Sequence, residues 1–246
     1  KAYVRVVFAD VRTGLCDFIL CRKVGGVSVY RALYRKYRPQ AFEDVVGQEH
    51  VVETIKNQII NNKISHAYMF TGTRGTGKTT CAKILARAVN CENPNNGNPC
   101  NKCDTCKGIL NGSLPDVYEI DAASNNGVDN IRELREDVIF TPALAKYKVY
   151  IIDEVHMLST QAFNALLKTL EEPPAHVKFI FATTEIRKVP VTVLSRCQRF
   201  DLQRLSIEDL LKLFNKIIAA EDLKADDEAL HMIATAADGS ARDGLS

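Results

Sequence analysis

The sequence predicts an α/β protein: a parallel sheet with helices on both faces, followed by a small domain built only of helices. Three observations predict it. Short apolar runs bounded by turn residues alternate with helical stretches of ten or more residues between about positions 34 and 202, the pattern of strands joined by helical crossovers. A glycine-rich loop sits between one such strand and the helix after it, at 72–79. Beyond position 206 the strand signals stop and only helical periodicity continues.

Composition narrows the class. At 246 residues, 46% hydrophobic and 25% charged, the chain has an ordinary globular make-up and enough length for one or two domains. No run approaches the 18 apolar residues of a spanning helix, and no secretory signal is recognisable, so a cytoplasmic protein without a membrane partner is expected. The formal net charge of +2 is too near neutral to announce a polyanion binder by bulk charge.

Residues 1–28 begin with Lys1 rather than Met and carry no pattern that continues beyond them. They are expected to be an unmatched extension, either disordered or an artefact of upstream translation with Val27 or Val29 at the initiator's place. Positions 51–60 read as an amphipathic helix, 66–70 as an apolar strand and 78–90 as a helix. The Asn-, Gly- and Pro-rich stretch 93–99 must loop. Next come a strand at 116–120, a helix at 128–137, a buried strand at 148–152 and a helix at 160–171 stopped by Pro173 and Pro174. Strands at 178–182 and 199–202 complete the sheet, and helices at 207–220 and 226–237 open the second domain. The expected division is 29–205 and 206–246, the last helix being cut short at Ser246.

Gly72, Thr73, Arg74, Gly75, Thr76, Gly77, Lys78 and Thr79 fit G-x-x-x-x-G-K-[ST] between an apolar strand and a helix, which is where a phosphate-binding loop works. Its glycines let successive N–H groups turn inward around phosphate oxygens. The helix N-terminus adds positive dipole, Lys78 reaches the β and γ phosphates, and the Thr79 hydroxyl can ligate Mg²⁺. The strand Val149-Tyr150-Ile151-Ile152 ends in Asp153 and Glu154. Asp153 would hold Mg²⁺ and Glu154 would orient the attacking water.

Of eight cysteines, Cys91, Cys100, Cys103 and Cys106 crowd together with two C-x-x-C spacings. Four thiolates close a tetrahedral site with no open position, hence a structural Zn²⁺ knuckle over 91–106. An iron–sulfur cluster or free thiols are the alternatives. A redox pair is disfavoured on the ground that neither C-x-x-C opens a helix on a thioredoxin-like pattern. Thr183 and Thr184 follow a strand where a polar group could contact a γ-phosphate or could serve as a capping pair. Arg196, Arg242 and His156 read, one by one, as surface or structural residues.

Taken together, Tyr34-Arg35-Lys36-Tyr37-Arg38-Pro39, Val46-Gly47-Gln48, the phosphate loop, the four cysteines, Asp153-Glu154-Val155-His156-Met157-Leu158, the stretch Leu167 to Pro174, Ser195-Arg196-Cys197 and Gly239-Ser240-Ala241-Arg242-Asp243 closely resemble one family. It is the bacterial DNA polymerase III gamma/tau family of AAA+ clamp-loader ATPases, and the match runs from about Tyr30 to the end. The resemblance implies an ATP-hydrolysing motor that loads a sliding clamp onto primer-template DNA within a ring of clamp-loader subunits, including copies of itself. It implies Arg196 as an arginine finger for the neighbouring subunit, Arg242 as a sensor reaching the γ-phosphate of its own site, and Thr184 as the other sensor, with Thr183 a close rival. It implies that 37–39 and 45–47 line the adenine and ribose pocket. The segment Ser124-Asn125-Asn126-Gly127 is a candidate for phosphate contact with DNA or a simple cap and turn. A delta-prime-like subunit or another AAA+ DNA motor is the alternative.

Overall fold

A computed structural model describes residues 32–246, and the expectation for 1–28 lies outside the described residues. In chain order the elements are α1 (Leu33–Lys36), α2 (Glu49–Ile60), β1 (Ala67–Thr71), α3 (Lys78–Asn90), α4 (Asp104–Asn111), β2 (Val117–Asp121), α5 (Val128–Asp137) and β3 (Lys148–Asp153). They continue with α6 (Thr160–Glu171), β4 (Val177–Thr183), α7 (Val191–Leu194), β5 (Gln198–Asp201), α8 (Ile207–Glu221), α9 (Asp227–Ala236) and α10 (Ala241–Gly244). Every helix and strand expected from the sequence is present within two residues of its expected ends. No helix among the described residues is long and apolar enough to cross a membrane.

The chain forms two compact units. One comprises 39–73 and 77–203 and holds the whole sheet. Its five strands run parallel in the order β2-β3-β4-β1-β5. Side chains of a strand alternate between faces, and here both faces are covered. Met69, Tyr150, Ile152, Phe179 and Phe181 enter a core with Ile131 and Leu134 of α5 and Phe163 and Leu166 of α6. Tyr68, Phe70, Val149, Ile151 and Ile180 enter a second core with Val51 and Ile55 of α2 and Ile84 and Leu85 of α3. The central strands β1 and β4 are buried throughout, whereas β2, at the edge, is half exposed.

Two local departures from the sequence reading have clear causes. The cysteine-rich insert is not loop throughout but contains α4, which the Cys103 sulfur caps by accepting from the Cys106 N–H, and which ends at Gly112 with φ +67°. Asp116 stands outside β2: its carboxylate is buried and accepts N–H groups from Ala143, Leu144 and Ala145, each at 2.7 Å.

The other unit comprises, among the described residues, 32–38, 74–76 and 204–246. Leu210, Phe214 and Ile217 of α8 pack on Leu230 and Ala234 of α9, with Leu33, Tyr34 and Tyr37 against them. Ser206 caps α8 by accepting the Asp209 N–H at 3.1 Å.

Candidate functional site

The carboxyl ends of β1, β3 and β4 lie side by side, the edge at which open parallel sheets place their ligands. From β1 the chain passes through 72–77 directly into α3, which begins at Lys78. Gly77, with φ +102°, precedes that helix and offers no side-chain cap, so the first-turn N–H groups are left for a ligand. Gly75, with φ +78°, also has no room for a side chain: a Cβ there would stand 1.8 Å from the Ser240 Oγ. Lys78 is buried and its ammonium donates to the Thr73 carbonyl at 2.8 Å, curling the loop on itself. Burial lowers its pKa, and the nearby charges of Glu154 and Asp153 oppose that shift.

Asp153 closes β3. One carboxylate oxygen accepts the Thr79 hydroxyl at 2.7 Å and the other accepts the Glu154 N–H at 3.0 Å. The two residues expected to hold Mg²⁺ are thus in direct contact, a hard-oxygen donor pair of the kind Mg²⁺ takes when it keeps most of its water. Glu154 has the left-handed backbone (φ +46°) that a non-glycine residue adopts at a cost of about 1–3 kcal/mol. Its Oε2 accepts from both the Thr184 N–H, at 3.2 Å, and the Thr184 hydroxyl, at 2.9 Å. Thr183 is fully buried, and its hydroxyl lies 2.9 Å from His156 Nδ1 while accepting the Glu185 N–H. Thr184, not Thr183, therefore touches the acid.

Arg196 follows α7, and its guanidinium donates to Glu171 at 2.6 Å and to the Thr192 carbonyl at 2.5 Å. Arg242, in the other unit, lies over the Tyr34 ring, 5.2 Å from its centroid. Gln48, of the Val46-Gly47-Gln48 stretch, is fully buried: its amide donates to the Gln203 carbonyl at 2.7 Å and accepts the Gln203 N–H at 3.1 Å. Ser124 and Asn125 are held by Asp121, through its backbone carbonyl and its carboxylate, in the turn before α5.

The sulfurs of Cys91, Cys100, Cys103 and Cys106 lie within 4.8 Å of one another. Around zinc at about 2.3 Å they would stand about 3.8 Å apart, so the cluster fits the ion with a small contraction. Backbone N–H groups already point at three of them: Cys100 to Cys91 at 3.2 Å, Lys102 and Cys103 to Cys100 at 3.4 and 3.3 Å, and Cys106 to Cys103 at 3.4 Å. The N–H groups of Lys102 and Cys103 bring the Cys100 thiol down to about 6. Asn96 (φ +48°) and Asn101 (φ +56°) make the sharp reversals between ligands. Since Cys103 caps α4, one C-x-x-C does open a helix. What argues against a redox pair is instead the convergence of all four sulfurs. The knuckle is anchored: the Asn98 amide bonds the Phe42 N–H and Glu43, and the Asn101 amide bonds the Gln40 carbonyl.

A family model described as DNA polymerase III, delta subunit, matches residues 47–206. A second, described as DNA polymerase III clamp loader subunit, ATPase lid domain, matches 210–246. The chain belongs to the DNA polymerase III clamp-loader subunit family. Within that family its resemblance is to the gamma and tau subunits. It is 61% identical over 217 residues to DNA polymerase III subunit tau of Bacillus subtilis and 51% identical to that of Escherichia coli, covering 88% of this chain each time. It spans 38% and 34% of the length of those two relatives. In fold it is similar to a RuvB branch-migration motor from Thermotoga maritima, with a TM-score of 0.61 at 18% identity over 85% of this chain and 63% of that one. The parallel sheet with helices on both faces is accordingly of the P-loop AAA+ kind, followed by a helical lid.

Two site features are not legible in the sequence. His156 reads there as an isolated structural histidine, and its contacts with Thr183, Glu154 and Glu185 depend on tertiary packing with no local signature. The reciprocal amide bonds of Gln48 bridge 155 residues of chain and are equally invisible to periodicity.

Proposed function

We propose that this chain is the ATP-hydrolysing motor portion of a bacterial clamp loader, which loads a sliding clamp onto primer-template DNA during replication in the cytoplasm. Residues 29–205 would be the ATPase domain and 206–246 the start of its lid, with 32–38 and 74–76 belonging structurally to the compact unit that holds the lid helices. The contact between Thr79 and Asp153 beneath the 72–79 loop is the observation that carries the reading, because it joins the two halves of a phosphate-and-metal site. The loop N–H groups from Gly72 to Thr79 and Lys78 bind the β and γ phosphates. Thr79 and Asp153 would hold Mg²⁺, which would neutralise charge that develops on the transferred phosphoryl group. Glu154 takes the proton of the attacking water while Thr184 holds its carboxylate. Arg242 reads the γ-phosphate of its own site, and Arg196 acts on the site of a neighbouring copy or related subunit, so turnover needs the assembly. Loss of the γ-phosphate removes the contacts of Thr184, Arg196 and Arg242 together, and with them the differential affinity that holds the closed state. Residues 37–39 and 45–47 line the base and ribose pocket, and Ser124 to Gly127 tracks DNA phosphates. Zn²⁺ on the four cysteines stiffens the 91–106 insert.

The delta-subunit description of the matching family model favours a second reading, a delta-prime-like subunit. The complete phosphate loop with Lys78 and Thr79, and the tau and gamma names of the relatives, support the motor instead. ATP turnover by the full-length protein separates the two when it is measured alone and then with the other loader subunits, sliding clamp and primer-template DNA. Turnover that rises sharply only with all components is expected of the motor. Flat or absent turnover would overturn it.

A further inference from the structure

Next to the acid of the proposed ATPase site lies a largely buried histidine, its side chain 6% exposed, that none of the proposed catalytic roles uses. His156 sits in the single 3₁₀ turn Val155–Met157 that begins immediately after Glu154. The buried Val155 pins this turn to the core, and the left-handed backbone of Glu154 sets its direction. The imidazole therefore has one place to go. Its Nδ1 is 2.9 Å from the Thr183 hydroxyl and 3.3 Å from Glu154 Oε2. Its Nε2 is 3.8 Å from Glu185 Oε1, and Glu185 in turn pairs with Lys188 at 2.9 Å.

A buried histidine needs polar partners for its ring nitrogens whatever its role, so which partners it has is what matters. Here Nδ1 faces the Thr183 hydroxyl and the Glu154 carboxylate, and Nε2 faces the Glu185 carboxylate. A carboxylate oxygen accepts only, so a hydrogen bond to Glu154 requires the hydrogen on Nδ1. The two donors of Thr184 and the imidazole meet Glu154 on the same atom, Oε2, and none of them uses Oε1. Three contacts converging from two elements hold that one oxygen in place. They leave the other oxygen to take a proton.

We infer that His156 is a positioning residue for Glu154, holding its Oε2 together with Thr184 so that Oε1 faces the reacting water, with Glu185 and Lys188 steadying the far side of the ring. The inference deepens the motor reading and rests on it. Thr184 alone bonds Glu154 from one strand end, about which the carboxylate can still swing; the ring supplies the second point of support. A reacting group misplaced by about 1 Å loses up to about 100-fold in rate. The polar contacts of His156 go to Thr183, Glu154 and Glu185 and not to 72–79, so nucleotide binding is independent of it.

The test uses the full-length protein in the loader assembly with sliding clamp and primer-template DNA. It compares wild type, His156→Leu, His156→Asn, Glu185→Gln and Glu154→Gln by kcat, KM for ATP, zinc content and melting temperature. Leucine fills the space without a donor, and asparagine keeps an N–H close to the place of Nδ1. His156→Leu is expected to lower kcat about 10- to 100-fold with KM within twofold of wild type, and His156→Asn to recover most of the loss. Equal rates for the leucine and asparagine variants overturn the inference, as does a raised KM at unchanged kcat. Should His156→Leu fail to fold, Glu185→Gln at an exposed site decides. A fall of about threefold in kcat at constant KM supports the role, and an unchanged kcat overturns it. Full activity of Glu154→Gln would instead strike at the assignment of Glu154 itself, a failure distinguishable from that of His156.

Discussion

The Thr79 hydroxyl and the Asp153 carboxylate, 74 residues apart in the chain, meet at 2.7 Å. One stands in the first turn of α3 and the other at the end of β3, so the contact exists only because β4 is inserted between β1 and β3 with all three in parallel register. If this pair holds Mg²⁺, removing either oxygen weakens the metal more than the nucleotide. Thr79→Ala is expected to raise the Mg²⁺ concentration for half-maximal turnover about tenfold or more, a loss of about 1.4 kcal/mol. Nucleotide affinity measured in chelator should change little. A magnesium titration of turnover set beside a metal-free binding isotherm checks both.

The four cysteines make a separate prediction. One zinc per chain is expected by elemental analysis of protein purified without chelator. Cys106→Ser should abolish it, because a three-sulfur site no longer closes the tetrahedron that the four converging sulfurs make. The knuckle is bonded to Phe42, Glu43 and Gln40, so metal loss should also loosen 40–43. Stripping the ion is expected to lower the melting temperature by at least about 5 °C and to raise amide exchange over 91–111 and 40–43, leaving β1 and β4 protected.

Legibility in the sequence depends on how local each feature is. The strand at 67–71, the loop at 72–77 and helix α3 come from contiguous residues obeying one rule each, and all appear where expected. The cysteine cluster is legible because sulfur spacing encodes closure directly. Four-residue helices such as α7 are too short for periodicity to register. Helix α4 escapes because its cap is a cysteine and Gly108 lies inside it. The choice between Thr183 and Thr184 turns on strand pleat: Thr183 is the last residue of β4 and points into the core, and its successor turns toward Glu154.

Asp116 gives a pH-dependent prediction. Burial raises its pKa, but three backbone N–H bonds and the nearby Lys148 outweigh that and hold it below the ordinary carboxylate value. A carboxyl with a lowered folded-state pKa stabilises the fold above its unfolded value, about 3.9, and loses that contribution as pH falls through the folded-state value. Asp116→Asn has one acceptor oxygen where three donors converge, and is expected to cost about 1–3 kcal/mol at pH 7. The variant should also lose stability less steeply than wild type below pH 4. Urea unfolding followed by circular dichroism at pH 7, 5, 4 and 3 measures both; parallel pH curves would show that Asp116 contributes no charge-dependent stability.

In the proposed motor, Arg196 is the residue whose role depends most on an assembly. Here its guanidinium is occupied by Glu171 and by the Thr192 carbonyl, with about a third of the side chain exposed. An exposed ion pair of this kind contributes about 0–1 kcal/mol, far less than the charge-assisted contact to a phosphate in a water-poor site, so a neighbouring nucleotide can take the arginine from Glu171. Arg196→Ala should therefore leave nucleotide affinity unchanged and remove stimulated turnover by about 10³-fold or more. Glu171→Gln, which frees the arginine from an ionic partner, should leave turnover within a few-fold of wild type. Assemblies containing each variant, assayed with sliding clamp and primer-template DNA, make the comparison. Wild-type turnover with Arg196→Ala would show that the arginine acts on no phosphate, whereas loss of turnover with Glu171→Gln would show that the pair itself, rather than the free guanidinium, is what the motor requires.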